Sequence, residues 1–187
     1  MKVLLLNGSR REKGCTYTAL SEIAQTLEKQ GIQAEIIHVV PETEIIKSVA
    51  EKVKTADGLV VGSPVYWASP SGEIISFMDR LSSLAGKDLL HKPAAAVASA
   101  RRAGTTATLD VLAKYFTYHQ MPVVSANYWN VVHGNTPDEV KKDAEGMQIM
   151  RVLGNNMAWL LKCIEAGKNN GVQIPETEAK IMTNFIR

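Results

Sequence analysis

Short apolar runs alternate with longer amphipathic stretches along the 187-residue chain, and this alternation limits the possible folds more than any other feature. The run Leu59-Val60-Val61 is apolar at successive positions, which is typical of a strand covered on both faces of a sheet. The predicted strands span residues 2–7, 34–40, 58–62 and 93–98, and a fifth begins at residues 122–125. Strands that alternate with helices indicate an α/β fold, in which helices cover both faces of a parallel sheet.

Five helices are predicted from apolar residues at helical spacing. The first four span residues 16–30, 45–56, 71–84 and 105–118. Pro137 suits the first turn of the last helix, which we expect to reach about residue 168, with Gly146 and Gly154 as candidate interruptions. We therefore divide the chain into one domain, residues 1–168, and a C-terminal arm, residues 169–187, that contains one short helix.

The charge and the cysteine content argue against several classes of protein. A formal net charge of +2 does not provide the dense basic face that a nucleic-acid-binding protein needs. Two cysteines are too few for a disulfide framework or a four-thiolate metal site. No apolar segment reaches the roughly 18 residues of a membrane span, and the apolar run at residues 3–6 is too short for a secretory signal. We expect a reduced, cytoplasmic protein that binds neither nucleic acid nor membranes.

A polar loop at residues 8–15 joins the first strand to the first helix. Backbone N–H groups at a helix start have no intrahelical partner and lie at the positive end of the helix dipole, so they suit a phosphate. The spacing fits neither a Walker A loop nor G-x-G-x-x-G. The alternative is a connecting loop with a polar cap. The candidate donors are the N–H groups of Cys15, Thr16, Tyr17 and Thr18, the hydroxyls of Ser9, Thr16 and Thr18, and the guanidinium of Arg11.

Three further loops follow predicted strands, at residues 64–71, 99–104 and 126–136. Parallel α/β sheets bind ligands at the carboxyl ends of their strands, so we expect all four loops to surround one site. Tyr66 and Trp67 in the second loop suit a flat aromatic ligand, and the alternative is that they pack back onto the following helix.

The first two loops resemble the NADPH-dependent FMN reductase family of flavodoxin-like flavoproteins, which includes iron–sulfur flavoproteins and quinone-reducing relatives. The resemblance covers roughly residues 2–168 and implies a three-layer sandwich with a five-stranded parallel sheet in the order 2-1-3-4-5. It also implies FMN bound non-covalently at the strand ends, and a homodimer or homotetramer. The motifs that carry it are Asn7-Gly8-Ser9 with Arg11, Gly14 and Thr16, the stretch at residues 62–72, and Phe77-Met78-Asp79-Arg80.

The resemblance implies roles for individual residues. The FMN phosphate is expected at Ser9, Arg11, Cys15, Thr16 and Thr18, together with the N–H of Tyr17, and the isoalloxazine ring along Pro64, Val65, Tyr66 and Trp67. Ser99, Arg101 and Gly104 lie in the loop that replaces the family's glycine-rich third loop, and we hypothesise that Arg101 and Arg102 hold the NAD(P)H phosphates. His133 is either a donor to a flavin carbonyl or a capping histidine, and Arg80 is expected to brace its helix or a subunit contact.

The implied function is an FMN-dependent oxidoreductase that passes electrons from NAD(P)H, in a ping-pong sequence, to a small acceptor. The candidate acceptors are free flavin, quinones, azo or nitro compounds, and iron chelates. No catalytic acid, base or nucleophile is expected, because the cofactor carries the chemistry. One alternative is a flavodoxin-type electron carrier, but such carriers tend to be strongly acidic, whereas Arg10, Arg11 and Lys13 crowd this loop. Another is a non-redox domain that binds phosphate or nucleotides.

Cysteines separate this chain from the iron–sulfur branch of the family. That branch binds its cluster through a compact set of cysteines, and residues 41–54 contain none. A [4Fe–4S] cluster requires four thiolates, so neither a cluster nor another metal is expected. Cys163 lies among Leu160, Leu161 and Ile164, and we expect it in the apolar core.

Overall fold

A parallel sheet with helices on both faces organises the computed structural model, which describes residues 1–183 and residue 185. Five strands follow one another in the order β2-β1-β3-β5-β6, and β4 pairs antiparallel with the end of β3. The predicted α/β class and strand order are confirmed, with one short strand added. The strands are β1 (Lys2–Asn7), β2 (Gln33–His38), β3 (Gly58–Tyr66), β4 (Ser69–Pro70), β5 (Ala94–Ala100) and β6 (Val131–His133).

Among the residues that the structure describes, six helices connect and follow these strands. Within residues 1–183 and 185, none is long and apolar enough to cross a membrane. The helices are α1 (Cys15–Lys29), α2 (Thr43–Thr55), α3 (Gly72–Leu89), α4 (Thr105–Tyr118), α5 (Pro137–Lys142) and α6 (Ala144–Asn169).

Two apolar cores lie on the two faces of the sheet. Leu4 and Leu6 of β1 contribute to the core under α2, α3 and α4, whereas Val3 and Leu5 contribute to the core under α1 and α6. Successive side chains of a strand point to opposite faces, so a strand covered on both sides must be apolar at every position. This requirement accounts for the uninterrupted apolar runs in the sequence.

The fifth strand of the parallel sheet differs from the prediction. Residues 122–125 form only an isolated bridge, Val123 with Ala94, and β6 pairs with the last three residues of β5. Asn130 fixes the point where strand pairing with β5 resumes. Its side-chain Nδ2 donates to Ala96 O at 3.0 Å, and its backbone carbonyl accepts from Ala98 N at 3.0 Å. β6 therefore pairs only with the carboxyl-terminal part of β5, and His133 lies at the carboxyl edge beside Ala100.

The last predicted helix is divided in two. Pro137 begins α5 as predicted, but the interruption falls at Asp143, whose side chain caps α6 by accepting from Gly146 N at 2.9 Å. Gly154 does not interrupt α6. It lies where a Cβ would approach Thr26 Cβ of α1 to 2.8 Å, so it allows the two helices to pack closely.

Two expectations for the C-terminal part are wrong. Cys163 is exposed, and it lines a cavity of about 440 Å³ together with Met1 and Pro93, at the amino ends of the strands. The short helix expected in the arm is absent from its described part, residues 169–183 and 185, beyond the end of α6. The remaining arm residues Asn184, Ile186 and Arg187 lie outside the described residues.

Arg80 links α3 to the segment before α2. Its guanidinium donates to Pro41 O at 2.6 Å and to Thr43 Oγ1 at 2.7 Å. These bonds agree with the predicted brace of the helix, and the alternative role at a subunit contact stays a prediction.

Candidate functional site

The carboxyl ends of β1, β3, β5 and β6 lie at one edge of the sheet because these strands are parallel. Contacts join the loops that follow them. Thr16 Oγ1 and Ser99 Oγ are 2.8 Å apart, and Cys15 Sγ lies 3.7 Å from Gly134 O. The structure thus brings together the segments that contain the predicted site residues.

Asn7 shapes the loop at residues 8–14. Its side chain is fully buried, and it donates through Nδ2 to Glu12 O at 2.7 Å while Oδ1 accepts from Ser9 N at 3.2 Å. Ser9 Oγ then accepts from Arg11 N at 3.2 Å, and His38 Nε2 lies 2.7 Å from Ser9 O. The sequence motif contains Asn7, but we predicted no role for it. The available signal was a polar residue at the end of an otherwise apolar strand.

The start of α1 is open to an anion. Gly14 occupies the N-cap without a side-chain hydrogen bond, and the first turn has no acidic residue. Across residues 1–183 and 185, no acceptor is found for the backbone N–H groups of Cys15, Thr16 and Tyr17. The expected fourth free N–H is not available, because Thr18 N donates to Gly14 O at 3.1 Å. The hydroxyl of Thr18 donates to the same carbonyl at 3.2 Å.

Thr16 and Ser99 form a buried hydroxyl pair beneath this helix start. Both residues are almost completely inaccessible to solvent. A hydroxyl pair uses one of its two protons in the mutual hydrogen bond, so the other proton is available to a ligand. The pair also joins α1 to β5 across 83 residues of sequence.

The second loop is a β-hairpin. β3 continues to Tyr66 instead of ending at residue 62, and Val65 and Tyr66 pair with Pro70 and Ser69. The connecting residues Trp67 and Ala68 have φ angles of 53° and 57°, which is typical of the tight turns that match strand twist. The alternative of packing onto α3 is wrong for Trp67, which is 100% exposed.

Ser71 joins the hairpin to the first loop. Its buried hydroxyl donates to Gly8 O at 2.7 Å and accepts from Ile74 N at 3.2 Å, which caps α3. Its own N–H donates to Ser63 Oγ at 2.9 Å. Predicting Ser71 as the first residue of the helix missed this connection between two loops.

Gly104 lies against the tip of the hairpin. It has a φ of +94°, and a Cβ on this residue would lie 2.6 Å from Ala68 Cα. Arg101 and Arg102 precede it and are exposed, and Gly104 caps α4 without a side-chain hydrogen bond. Gly104 therefore brings the third loop, which contains Arg101 and Arg102, next to the hairpin.

His133 ends β6 beside the start of α6. Its N–H donates to Asp143 Oδ2 at 2.7 Å, and its ring Nδ1 lies 3.9 Å from the same oxygen. Tyr128 and Trp129 form an exposed edge-to-face pair, with ring centroids 4.9 Å apart. Residues 131–133 of the predicted fourth loop form β6, so this pair lies in the segment before the strand, and the position of that segment at the site stays a prediction.

The charges around the loop are divided between two arginines. Arg10 Nε donates to Glu73 Oε1 at 2.6 Å, whereas the exposed Arg11 has no ion-pair partner among the residues that the structure describes. Burial raises the pKa of the Cys15 thiol, so this group is uncharged at neutral pH. The described chain contains no group of three or more His, Cys, Asp or Glu residues that could hold a metal.

The N-terminal three quarters of the chain, residues 1–136, match the NADPH-dependent FMN reductase family. An iron-sulfur flavoprotein of Methanocaldococcus jannaschii is 29% identical over 88% of this chain and 100% of its own length. An NADPH azoreductase of a Bacillus species is 31% identical over 54% of this chain and 59% of its own length.

Solved structures show the same fold. RosB with bound 8-demethyl-8-formylriboflavin-5'-phosphate has a TM-score of 0.74 at 17% identity, over 100% of this chain and 94% of that chain. A flavodoxin, WrbA-like protein from Agrobacterium tumefaciens has a TM-score of 0.68 at 16% identity, over 87% of this chain and 97% of that chain. The predicted flavodoxin-like fold is confirmed.

The donor groups of the site fit FMN and not an iron–sulfur cluster. Unpartnered N–H groups at a helix start suit the phosphate, and an exposed hairpin with two aromatic residues suits a flat ring. The two cysteines of the chain lie at opposite edges of the sheet, Cys15 at the carboxyl edge and Cys163 at the amino edge. The chain belongs to the NADPH-dependent FMN reductase family and is a flavodoxin-like, FMN-dependent oxidoreductase that uses NAD(P)H.

Proposed function

We propose that the FMN phosphate binds at the start of α1, inside the loop that Asn7 shapes. The observation that carries this proposal is the set of unpartnered N–H groups at Cys15, Thr16 and Tyr17 in a helix turn without acidic residues. Ser9 and Thr16 add hydroxyls, and Arg11 adds a positive charge that no described carboxylate neutralises. Thr18 supports this site by fixing the helix start, since both of its donors bond Gly14 O.

The isoalloxazine ring would then lie along Pro64, Val65 and Tyr66, with Trp67 at the rim. Gly104 packs against Val65 and Ala68 of the hairpin, and the hydroxyl of Ser99 holds the Thr16 hydroxyl in place by a hydrogen bond. Arg101 and Arg102 extend from the neighbouring loop, and we assign them to the phosphates of NAD(P)H. His133, oriented by Asp143, is assigned to the far side of the site as a donor to the flavin.

Bound FMN supplies hydride and electron transfer between NAD(P)H and the acceptor, so the protein's part is binding, orientation and electrostatics. The N–H groups and the positive end of the α1 dipole stabilise negative charge at this edge of the sheet. The acceptor that we propose is a small aromatic or chelated compound: a free flavin, a quinone, an azo or nitro compound, or an iron chelate. Likeness to an NADPH azoreductase and the open, exposed hairpin support this class.

We also propose that residues 1–168 form the FMN-binding domain, that residues 169–187 form an arm, and that the protein assembles as a homodimer or homotetramer. Large exposed apolar side chains in the arm support an assembly, because such surface is usually covered. They include Ile181, Met182 and Phe185.

The proposed reaction is tested with the purified protein and NADPH under anaerobic conditions. We expect the visible flavin bands to bleach on addition of NADPH and to return on addition of a competent acceptor, so a panel of the four acceptor classes identifies the substrate. A protein whose flavin bleaches but is reoxidised by none of these compounds would contradict the proposed acceptor class. Protein that takes up no FMN would contradict the site itself.

Arg11→Ala is expected to weaken FMN binding about tenfold or more, because a charge-assisted hydrogen bond is worth roughly 1.5–3 kcal/mol. Riboflavin lacks the phosphate, so its dissociation constant should hardly change. Fluorescence titration with both ligands measures the two constants. Lys13→Ala is the matched control, since it removes an exposed positive charge from the same loop. If both substitutions weakened FMN binding equally, the effect would be general electrostatic attraction and not an Arg11 contact.

A further inference from the structure

The side chains of Arg10 and Arg11 serve different parts of the molecule. Arg11 lies beside the α1 start, because a Cβ on Gly14 would be 3.2 Å from Arg11 Cβ. The Arg10 guanidinium instead lies over Tyr66, with its central carbon 5.5 Å from the ring centroid, and its Nε donates to Glu73 Oε1 at 2.6 Å. One side chain thus connects the first loop to the end of β3 and to the first turn of α3.

We propose that Arg10 is a positioning residue for the ring end of the flavin site and not a phosphate ligand. This inference rests on the proposed function, because it assumes that Tyr66 borders the flavin ring. Glu73 fixes the guanidinium of Arg10, and this guanidinium holds the Tyr66 ring against the loop at residues 8–14.

The surroundings of Glu73 support this role of the Arg10–Glu73 ion pair. Burial acts to raise the pKa of its carboxyl, but the hydrogen bond and the charge of Arg10 hold this pKa below its usual value. Oε2 of Glu73 is buried and has no hydrogen-bond partner among the described residues, whereas Oε1 accepts from Arg10 Nε. The position of Glu73 in the first turn of α3 adds a favourable interaction with the helix dipole.

The carboxylate of Glu73 also neutralises the charge of Arg10. An arginine paired with a carboxylate attracts a phosphate less than an unpaired one does, and Arg11 has no such partner among residues 1–183 and 185. The planar guanidinium can donate to a carboxylate and lie over an aromatic ring at once, which a lysine ammonium cannot reproduce. Arg10 is therefore suited to orienting Tyr66, and Arg11 to binding an anion.

The test compares FMN and riboflavin binding to the full-length protein by fluorescence titration. Arg10→Ala, Arg10→Lys and Glu73→Gln should each weaken both ligands by the same factor, about three- to tenfold, since exposed ion pairs and cation–π contacts are individually weak. The ratio of the two dissociation constants should stay at the wild-type value. The double variant Arg10→Ala/Glu73→Gln should be no weaker than Arg10→Ala alone. The circular dichroism of bound FMN should change in each single variant.

Arg11→Ala is the matched comparison, because it should change the ratio of the two dissociation constants. If Arg10→Ala changed this ratio as Arg11→Ala does, Arg10 would be a phosphate ligand and the proposal would be overturned. It would also be overturned if Arg10→Ala left both affinities and the circular dichroism unaltered. Failure of the wild-type protein to bind either flavin would instead refute the proposed site, so the two failures are distinguishable.

Discussion

Gly104→Ala is expected to lower the free energy of unfolding by about 2–5 kcal/mol and to weaken FMN binding at least tenfold. A φ of +94° is unfavourable for alanine by roughly 1–2 kcal/mol, and the new Cβ would lie 2.6 Å from Ala68 Cα and 2.8 Å from Val65 Cγ1. Relief of such a contact costs about 1–3 kcal/mol. Because one of the clashing atoms is backbone, the hairpin must shift, and Tyr66 and Trp67 shift with it. Urea denaturation and FMN titration measure the two effects.

Gly31→Ala provides the control for Gly104→Ala. Gly31 has a φ of +76°, and a Cβ there would meet nothing within 4 Å. It lies beyond the C-terminal end of α1, away from the loops at the carboxyl edge. Alanine at this position should cost only the strain of the backbone, roughly 1–2 kcal/mol, and should leave FMN binding unchanged. Equal losses of stability in both variants would contradict the proposed contact between Gly104 and the hairpin.

Asn7→Ala is the second substitution with a large expected effect. It removes the two hydrogen bonds that shape the loop at residues 8–14 and leaves the buried Ser9 N–H without its acceptor. An unsatisfied buried donor costs about 1–3 kcal/mol, so we expect the free energy of unfolding to fall by about 2 kcal/mol. FMN affinity should fall at least tenfold, because Ser9 and Arg11 no longer have fixed positions.

The control for Asn7→Ala is Asn130→Ala, which removes a buried asparagine at the edge of the sheet. Asn130 Nδ2 donates to Ala96 O at 3.0 Å, so its loss should also destabilise the protein. FMN affinity should fall much less than in Asn7→Ala, because the side chain of Asn130 bonds to Ala96 of β5 and not to the loop at residues 8–14. A parallel loss of FMN affinity in both variants would indicate global destabilisation, and the specific role of Asn7 would be rejected.

Local sequence patterns were sufficient to predict the bounds of some strands and helices. β1 at Lys2–Asn7 and α4 at Thr105–Tyr118 have the predicted bounds, because a short apolar run and a glycine-led amphipathic segment define their own ends. The strand order followed from the resemblance to a known family.

Features that depend on distant residues could not be predicted. β6 has three residues and begins where Asn130 bonds to Ala96, 34 positions earlier. The turn at Trp67 and Ala68 contains neither glycine nor asparagine, so nothing in the sequence indicated two left-handed residues there. The hydrogen bond between the hydroxyls of Thr16 and Ser99 could not be predicted either, because only the assembled sheet brings these two residues together.

The close packing of Gly154 against Thr26 has a consequence for the opposite end of α1. Thr26 is almost inaccessible and is pressed against α6 without an intervening side chain, so α1 cannot slide along its own axis without unpacking α6. The position of the first turn of α1 relative to the carboxyl ends of the strands is therefore fixed once the protein has folded. An anion that arrives there meets donors already in place, and little ordering entropy has to be lost on binding.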